Sequence, residues 1–403
     1  MSKPRARRED LLRLSGSVGS NRAMGREYST LTRRSRFELN LGKPGRQGSS
    51  NLLFPFDARA AWVAACYHRS CSAVGWEIAS SPASRLEPLH EQLVELLSRD
   101  ERLDTWGEVR LSVNVRRVED FEAGPLQLRG AVKNALLEAF RRRGRRAVMD
   151  ADEPNLRFLV RRTGLENDRR TWLSLDLGGP SRHLRHQRAA VVEAPIRETL
   201  AAQFVLLSGW DPRSEIFVDP MAGGGTIPME AAHLAFATAV RTPAQLTWPA
   251  SLLKGLPEHA PPLFPDSDPR ILSLDVEPAR VKAMIGNLRV AGLTGKKSDV
   301  ITVGNADLRE LDPDRVISMV GEGTELGRGV FCFDPPQGVR TGGSPSEIRD
   351  LHRACGRALR QFRGWRSVIF LTQDDFIPLW ARPTSSRPAA SGNLRGKVHL
   401  FEY

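Results

Sequence analysis

Apolar and polar positions repeat with two different periods along this chain, and the change of period divides it. Leu86 to Leu97 carries Leu89, Leu93 and Leu96 on one side, the spacing of an amphipathic helix. Leu126 to Phe140 repeats the pattern with Leu128, Val132, Leu136 and Phe140. Ala60 to Cys66 also reads as helical. Val109 to Val115 (VRLSVNV) alternates instead at period two, as a half-buried strand does. Gly75 to Ala79, Leu156 to Arg161 and Trp172 to Leu177 read as further strands. Strand, helix, strand, strand suits a small α+β module over 106–182, with a less regular region over 51–105. Residues 1–50 are rich in Arg, Ser and Gly and show no sustained period, so they read as a basic, largely disordered tail.

Beyond Ser181 to Arg188, a basic linker, the pattern becomes α/β over 183–403. Glu193 to Leu207 predicts a helix. Short apolar runs at Ile216 to Val218, Ile271 to Leu274, Val300 to Val303, Val330 to Phe333 and Val368 to Thr372 predict strands buried on both faces. Helices at Pro278 to Ala291 and Ile348 to Phe362 alternate with them, and Val398 to Tyr403 is a plausible last strand. This alternation implies a mostly parallel sheet. Val240 to Pro269 holds seven prolines and reads as a surface excursion.

Composition narrows the class. The chain is 403 residues long, 40% hydrophobic and 26% charged, as expected of a globular protein. No apolar run approaches the ~20 residues of a membrane span, and MSKPRARRED lacks the apolar core of a secretory signal. Cys66, Cys71, Cys332 and Cys355 form no CxxC pair, so reduced core cysteines in a cytoplasmic protein are expected. The eight histidines show no metal-ligand spacing, and no metal is expected. The net charge of +12 is uneven. Residues 1–50 carry 12 Lys and Arg against four Asp and Glu, whereas 201–403 carry 23 against 22. A basic amino-terminal half on a neutral α/β half suggests a polyanion-binding module beside an active site.

The chemistry gathers at the strand ends. Ile216 to Ala232 (IFVDPMAGGGTIPMEAA) reads as strand, glycine loop, helix. Gly223, Gly224 and Gly225 allow the backbone to turn and approach a ligand, with Thr226 as helix cap. Neither a Walker loop nor G-x-G-x-x-G is present. Asp219, Asp275, Asp307 and Asp334-Pro335-Pro336 each follow a strand, and in an open sheet such ends line one crevice. For a nucleoside bearing a sulfonium, Asp275 suits two ribose hydroxyls and Asp307 an adenine amine. Asp334 and the Pro335 carbonyl suit the two hydrogens of a substrate amino group. Methyl transfer of this kind needs positioning and charge stabilisation.

Trp172 to Arg188, Ala194 to Ala202, Gly209 to Ala232, Leu274 to Pro278 and Asp334 to Gly338 together resemble the THUMP-domain class I S-adenosylmethionine-dependent methyltransferases, the bacterial 23S rRNA guanine-N2 methyltransferase family. The resemblance implies a Rossmann-like methyltransferase domain over 183–403, a THUMP-like RNA-binding domain over 106–182 and a diverged ferredoxin-like piece over 51–105. It implies cofactor contacts from Asp219, Pro220, Ala222, Gly223, Gly225, Thr226, Asp275, Asp307 and Thr199, and catalytic roles for Asp334, Pro335, Pro336 and Gln337. It implies an RNA contact from Lys133, and the basic helix end at Arg141, Arg142, Arg143 and Arg145, with Arg185 and Arg188 in the basic linker, reads as a phosphate-binding patch. The expected activity is methylation of an RNA exocyclic amine, guanine N2 of large-subunit rRNA first. Adenine N6 in DNA or RNA is one alternative, and a lapsed RNA-binding protein another. Gln337 stands where the family carries an aromatic that stacks on the target base. A Gln337→Tyr change is therefore expected to keep or raise methylation.

Overall fold

The computed structural model describes residues 7–34, 44–48, 50–118, 120–164, 168–179, 182–183, 185, 189–190, 196–294, 300–321, 328–338, 344–391 and 394–403. The chain divides into two compact units. One comprises Met1–Gly16, Tyr28–Arg182 and Ala239–Ala260, the other Ser17–Glu27, His183–Thr238 and Pro261–Tyr403.

The first unit contains β1 (Arg7–Ser15), the carboxyl part of α1 (Asn21–Arg34), β2 (Gly45–Gln47), β3 (Asn51–Pro55), α2 (Ala58–Tyr67), β4 (Ala73–Ser81) and α3 (Leu86–Ser98). There follow β5 (Val109–Val118), α4 (Pro125–Arg142), β6 (Ala147–Met149), β7 (Leu156–Thr163) and β8 (Arg170–Asp176). These strands form one sheet in the order β2-β3-β1-β4-β8-β7-β5-β6. Pairing is antiparallel except where β5 meets β6 and β7. Helix α4 packs on α3 and β5 through Leu128, Val132, Leu136 and Phe140, all buried.

The first residues correct the expectation of a disordered tail. β1 pairs with both β3 and β4, and Leu12, Leu14, Met24, Tyr28 and Leu31 are buried. Charge hid the strand. Arg13, fully buried, donates to Glu77 on β4 at 2.5 Å, and Arg161 on β7 donates to the same carboxylate at 2.6 Å. Paired ions therefore occupy a face where alternation would show apolar residues. The proline-rich excursion is likewise not all surface. It carries α7 (Ala250–Leu253), and Trp248 is buried with its indole N–H on the Leu177 carbonyl at 2.9 Å.

The second unit runs α5 (Glu198–Ser208), β9 (Glu215–Asp219), α6 (Thr226–Phe236), β10 (Arg270–Asp275), α8 (Pro278–Val290), β11 (Ile301–Asn305) and α9 (Pro313–Val320). It continues with β12 (Arg328–Phe333), α10 (Pro345–Leu359), β13 (Arg366–Leu371), α11 (Ile377–Trp380), β14 (Ser385–Ser391) and β15 (Leu394–Glu402). The sheet order is β11-β10-β9-β12-β13-β15-β14, parallel from β11 to β13 and antiparallel at β15 and β14. Alternate strand residues feed opposite layers. Phe217, Val330 and Val368 pack with α5, α6 and α8, while Val218, Phe331 and Ile369 pack with α10 and α11. Strand order reverses between β9 and β12, which opens a crevice at their carboxyl ends. β14 (SSRPAAS) went unforeseen; its Pro388 is tolerated because this is an edge strand.

Candidate functional site

Three carboxylates meet at that crevice. Asp219 ends β9 and is fully buried. Its Oδ1 accepts from the Met221 amide at 3.1 Å, while Oδ2 is buried without a partner. Burial, with Asp275 and Asp334 adding repulsion, holds the Asp219 carboxyl well above its usual pKa range. Asp275 ends β10 and is itself buried. Its Oδ2 accepts from the Gly223 amide at 2.9 Å and its Oδ1 from the Glu277 amide at 3.0 Å. Asp275 thus holds the glycine loop as well as facing the crevice.

The loop is braced on every side. The Ala222 amide reaches the Leu274 carbonyl at 2.8 Å. Asn287, buried on α8, donates to the Gly224 carbonyl at 3.0 Å and accepts from the Ala190 amide at 2.9 Å. Gly223 and Gly225 both have positive φ, 53° and 84°. A Cβ on Gly225 would press on Met284, whereas one on Gly223 would meet nothing within 4 Å. Gly225, not Thr226, is the cap of α6; Thr226 is its first residue and is buried. Pro220 is buried and Ala222 half-buried beside them, and Thr199 is buried in the first turn of α5. An open glycine face and a buried carboxylate oxygen with no partner fit a nucleoside cofactor carrying positive charge, while the amino end of α6 suits a negatively charged group on the same molecule.

Asp307 is differently employed. Its oxygens accept from its own neighbour Arg309, at 3.0 Å and 2.9 Å from Nε, and from the Arg309 amide at 2.8 Å. That guanidinium holds the Asp307 carboxyl below its ordinary value. The expected adenine contact therefore competes with a local ion pair. Glu277, which caps α8 two residues beyond β10, has a side chain 54% exposed and pairs with Arg280 at 3.1 Å.

After β12 comes Asp334-Pro335-Pro336-Gln337. Gln337 does not project for stacking. Its Oε1 accepts from the Thr372 amide at 2.6 Å and hydroxyl at 2.8 Å; its Nε2 donates to the Phe370 carbonyl at 3.0 Å and reaches Asp334 Oδ1 at 3.4 Å. The side chain ties the loop to the end of β13. A second tie comes from α10. His352 Nε2 lies 2.8 Å from the Pro336 carbonyl, and its Nδ1 accepts from the Trp380 indole at 3.1 Å. That donor at Nδ1 places the proton on Nε2, so His352 donates to Pro336. Burial lowers the His352 pKa and favours this neutral form.

The expected RNA contacts separate. Arg185 is buried and forms a two-pronged pair with Glu230 on α6, at 3.0 and 2.8 Å, so it braces the fold rather than facing a ligand. Arg143 is held by Asp104 and by the Ser98 carbonyl. Arg142 pairs with Glu138 at 2.5 Å and Arg145 donates to the Gly107 carbonyl at 2.9 Å. Arg141 is exposed at the end of α4, and Lys133 is half-buried along it. Arg188 lies outside the described residues. Among the described residues no group of His, Cys, Asp and Glu is arranged to hold a metal, and no helix is long and apolar enough to cross a membrane. All four cysteines are buried.

Comparison with known proteins supplies the family. Over 274 residues the chain is 31% identical to the ribosomal RNA large subunit methyltransferase K/L of Aeromonas salmonicida, covering 61% of this chain and 35% of that protein. The namesake from Syntrophotalea carbinolica is 30% identical over 67% of this chain and 38% of its own length. The chain thus spans little more than a third of these curated relatives. Among solved structures, SMU.472 complexed with SAH superimposes with a TM-score of 0.71 at 19% identity, covering 99% of both chains. TrmN from Thermus thermophilus gives 0.64 at 17% identity, covering 97% of this chain and 99% of that one. Both share the fold. A family profile described as UPF0020, RMKL-like methyltransferase domain, matches residues 185–398, and the chain belongs to that methyltransferase family.

Proposed function

We propose that this methyltransferase domain transfers a methyl group from S-adenosyl-L-methionine to an exocyclic amine of RNA, with guanine N2 of large-subunit ribosomal RNA as the first candidate. The observation that carries the reading is the convergence of Asp219, Asp275 and Asp334 on the glycine loop where the strand order reverses. The bound cofactor supplies an electrophilic methyl on a positively charged sulphur. The loop from Asp219 to Thr226 would hold it, with the Asp275 carboxylate available to ribose hydroxyls. Asp334 and the Pro335 carbonyl accept the two amino hydrogens of an unstacked base, which aims the nitrogen lone pair at the methyl. On taking the methyl the amine nitrogen would have to lose one hydrogen as a proton, which Asp334, already accepting that N–H, would pass to solvent. Asp334, beside two further carboxylates, stabilises the positive charge that develops on that nitrogen.

The relatives named for ribosomal RNA support this substrate. The basic amino-terminal half, with a THUMP-like β5–α4–β7 portion, is proposed as the RNA-binding module, and the cytoplasm as the compartment. Adenine N6 remains the second reading, because an Asp-Pro-Pro loop serves either amine. Asp334→Asn tests the assignment. Methyl transfer to RNA should fall by at least a hundredfold while cofactor affinity by calorimetry stays within about threefold. Retained turnover would remove Asp334 from the mechanism.

A further inference from the structure

Four arginines surround a cavity of about 200 Å³ at the other end of the seven-stranded sheet, where the parallel strands begin. Arg22 and Arg26 lie one turn apart near the start of α1, within the second unit. Arg366 opens β13, and Arg387 sits in β14. Ser385 adds a hydroxyl, and Val368, Val398 and Leu400 form an apolar wall.

Arg366 and Arg26 are anchored to neighbouring elements. Arg366 grips Glu215 with both terminal nitrogens, at 2.8 and 2.6 Å, and donates Nε to the Ser208 carbonyl at 2.6 Å. Arg26 donates to the Leu206 carbonyl at 2.5 Å. With Arg366 neutralised by Glu215, the lining sets Arg22, Arg26 and Arg387 against one further carboxylate, Glu402. The crowding is energetically visible: burial and repulsion from Arg22, Arg366 and Arg387 lower the Arg26 pKa. An oxyanion would relieve that repulsion, and guanidinium forks converging from α1, β13 and β14 suit its several oxygens better than single ammonium groups would.

We propose that this cavity is a binding site for a phosphate group, separate from the methyl-transfer crevice. Two sources share that chemistry: a free phosphate or nucleotide, and a backbone phosphodiester of a bound RNA. The assignment does not depend on the function proposed for the crevice, so the two can fail separately.

The test uses the full chain and the double variant Arg22→Ala with Arg387→Ala, which leaves the Arg366–Glu215 pair intact. Inorganic phosphate is titrated by calorimetry, and a short single-stranded RNA is titrated over a series of salt concentrations. A free-phosphate site predicts at least tenfold weaker phosphate binding in the variant, with thermal midpoint and S-adenosylmethionine affinity retained. A backbone site predicts no phosphate binding by either protein. RNA binding would then weaken, and the slope of log affinity against log salt would fall by about one to two. Should the alanine pair not fold, Arg22→Lys with Arg387→Lys serves instead. It keeps the charge, removes the forks, and should still weaken whichever ligand binds. Phosphate and RNA affinities equal to those of the unmodified protein would overturn the proposal.

Discussion

Asp219 combines two demands in one side chain. Its burial among carboxylates disfavours its ionised form, yet its unpartnered oxygen is suited to a ligand of opposite charge. Replacement by Asn keeps the acceptor for the Met221 amide and removes the repulsion. Asp219→Asn should therefore raise or preserve the thermal midpoint at neutral pH while weakening S-adenosylmethionine at least tenfold. A lower midpoint with unchanged affinity would assign Asp219 to stability alone. Gln337 reverses a sequence expectation. Tyrosine there would supply an aromatic face but leave the Thr372 amide and Phe370 carbonyl without their partner. Each lost bond is worth about 1 kcal/mol. Losing both bonds, Gln337→Tyr should thus lower kcat by up to about thirtyfold, because every 1.4 kcal/mol is a factor of ten. Unimpaired turnover would show that the tie to β13 is dispensable.

At the level of elements, the periodic pattern was readable wherever burial alone sets it. The parallel strands and the helices α3, α4 and α10 stand close to their predicted spans because apolar runs and helical spacing have no competitor there. β1 was illegible because Arg13 lies inside the sheet, and β14 because Pro388 suggests a loop. In the crevice the carboxylates could be placed from strand ends, whereas the ties from Asn287, Thr372 and His352 join residues distant in sequence and leave no local mark. His352 gives this scale its prediction. Its pKa is lowered from the ordinary 6.5, so the unfolded chain takes the proton first as pH falls. The stability it contributes is full above about pH 6.5 and is lost as pH drops below that value. His352→Phe should flatten this stretch of the stability curve. It should also lower kcat several-fold without moving cofactor affinity. An unchanged acid limb would dissociate His352 from the loop.

Across the whole molecule, basic charge concentrates in the amino-terminal residues while the methyltransferase domain is nearly neutral. Interior salt bridges consume part of that charge: Arg13 and Arg161 are buried and paired. Net charge alone therefore overstates the surface offered to RNA, and Arg141 with the cavity arginines are better placed to meet phosphate. The most direct measurement is transfer of tritiated methyl from S-adenosylmethionine to ribosomal RNA, transfer RNA and DNA, followed by digestion to nucleosides. Label in N2-methylguanosine from large-subunit ribosomal RNA is the expected result. Label confined to N6-methyladenine would contradict the guanine assignment, and no label in any pool, with no cofactor binding, would contradict the enzyme itself.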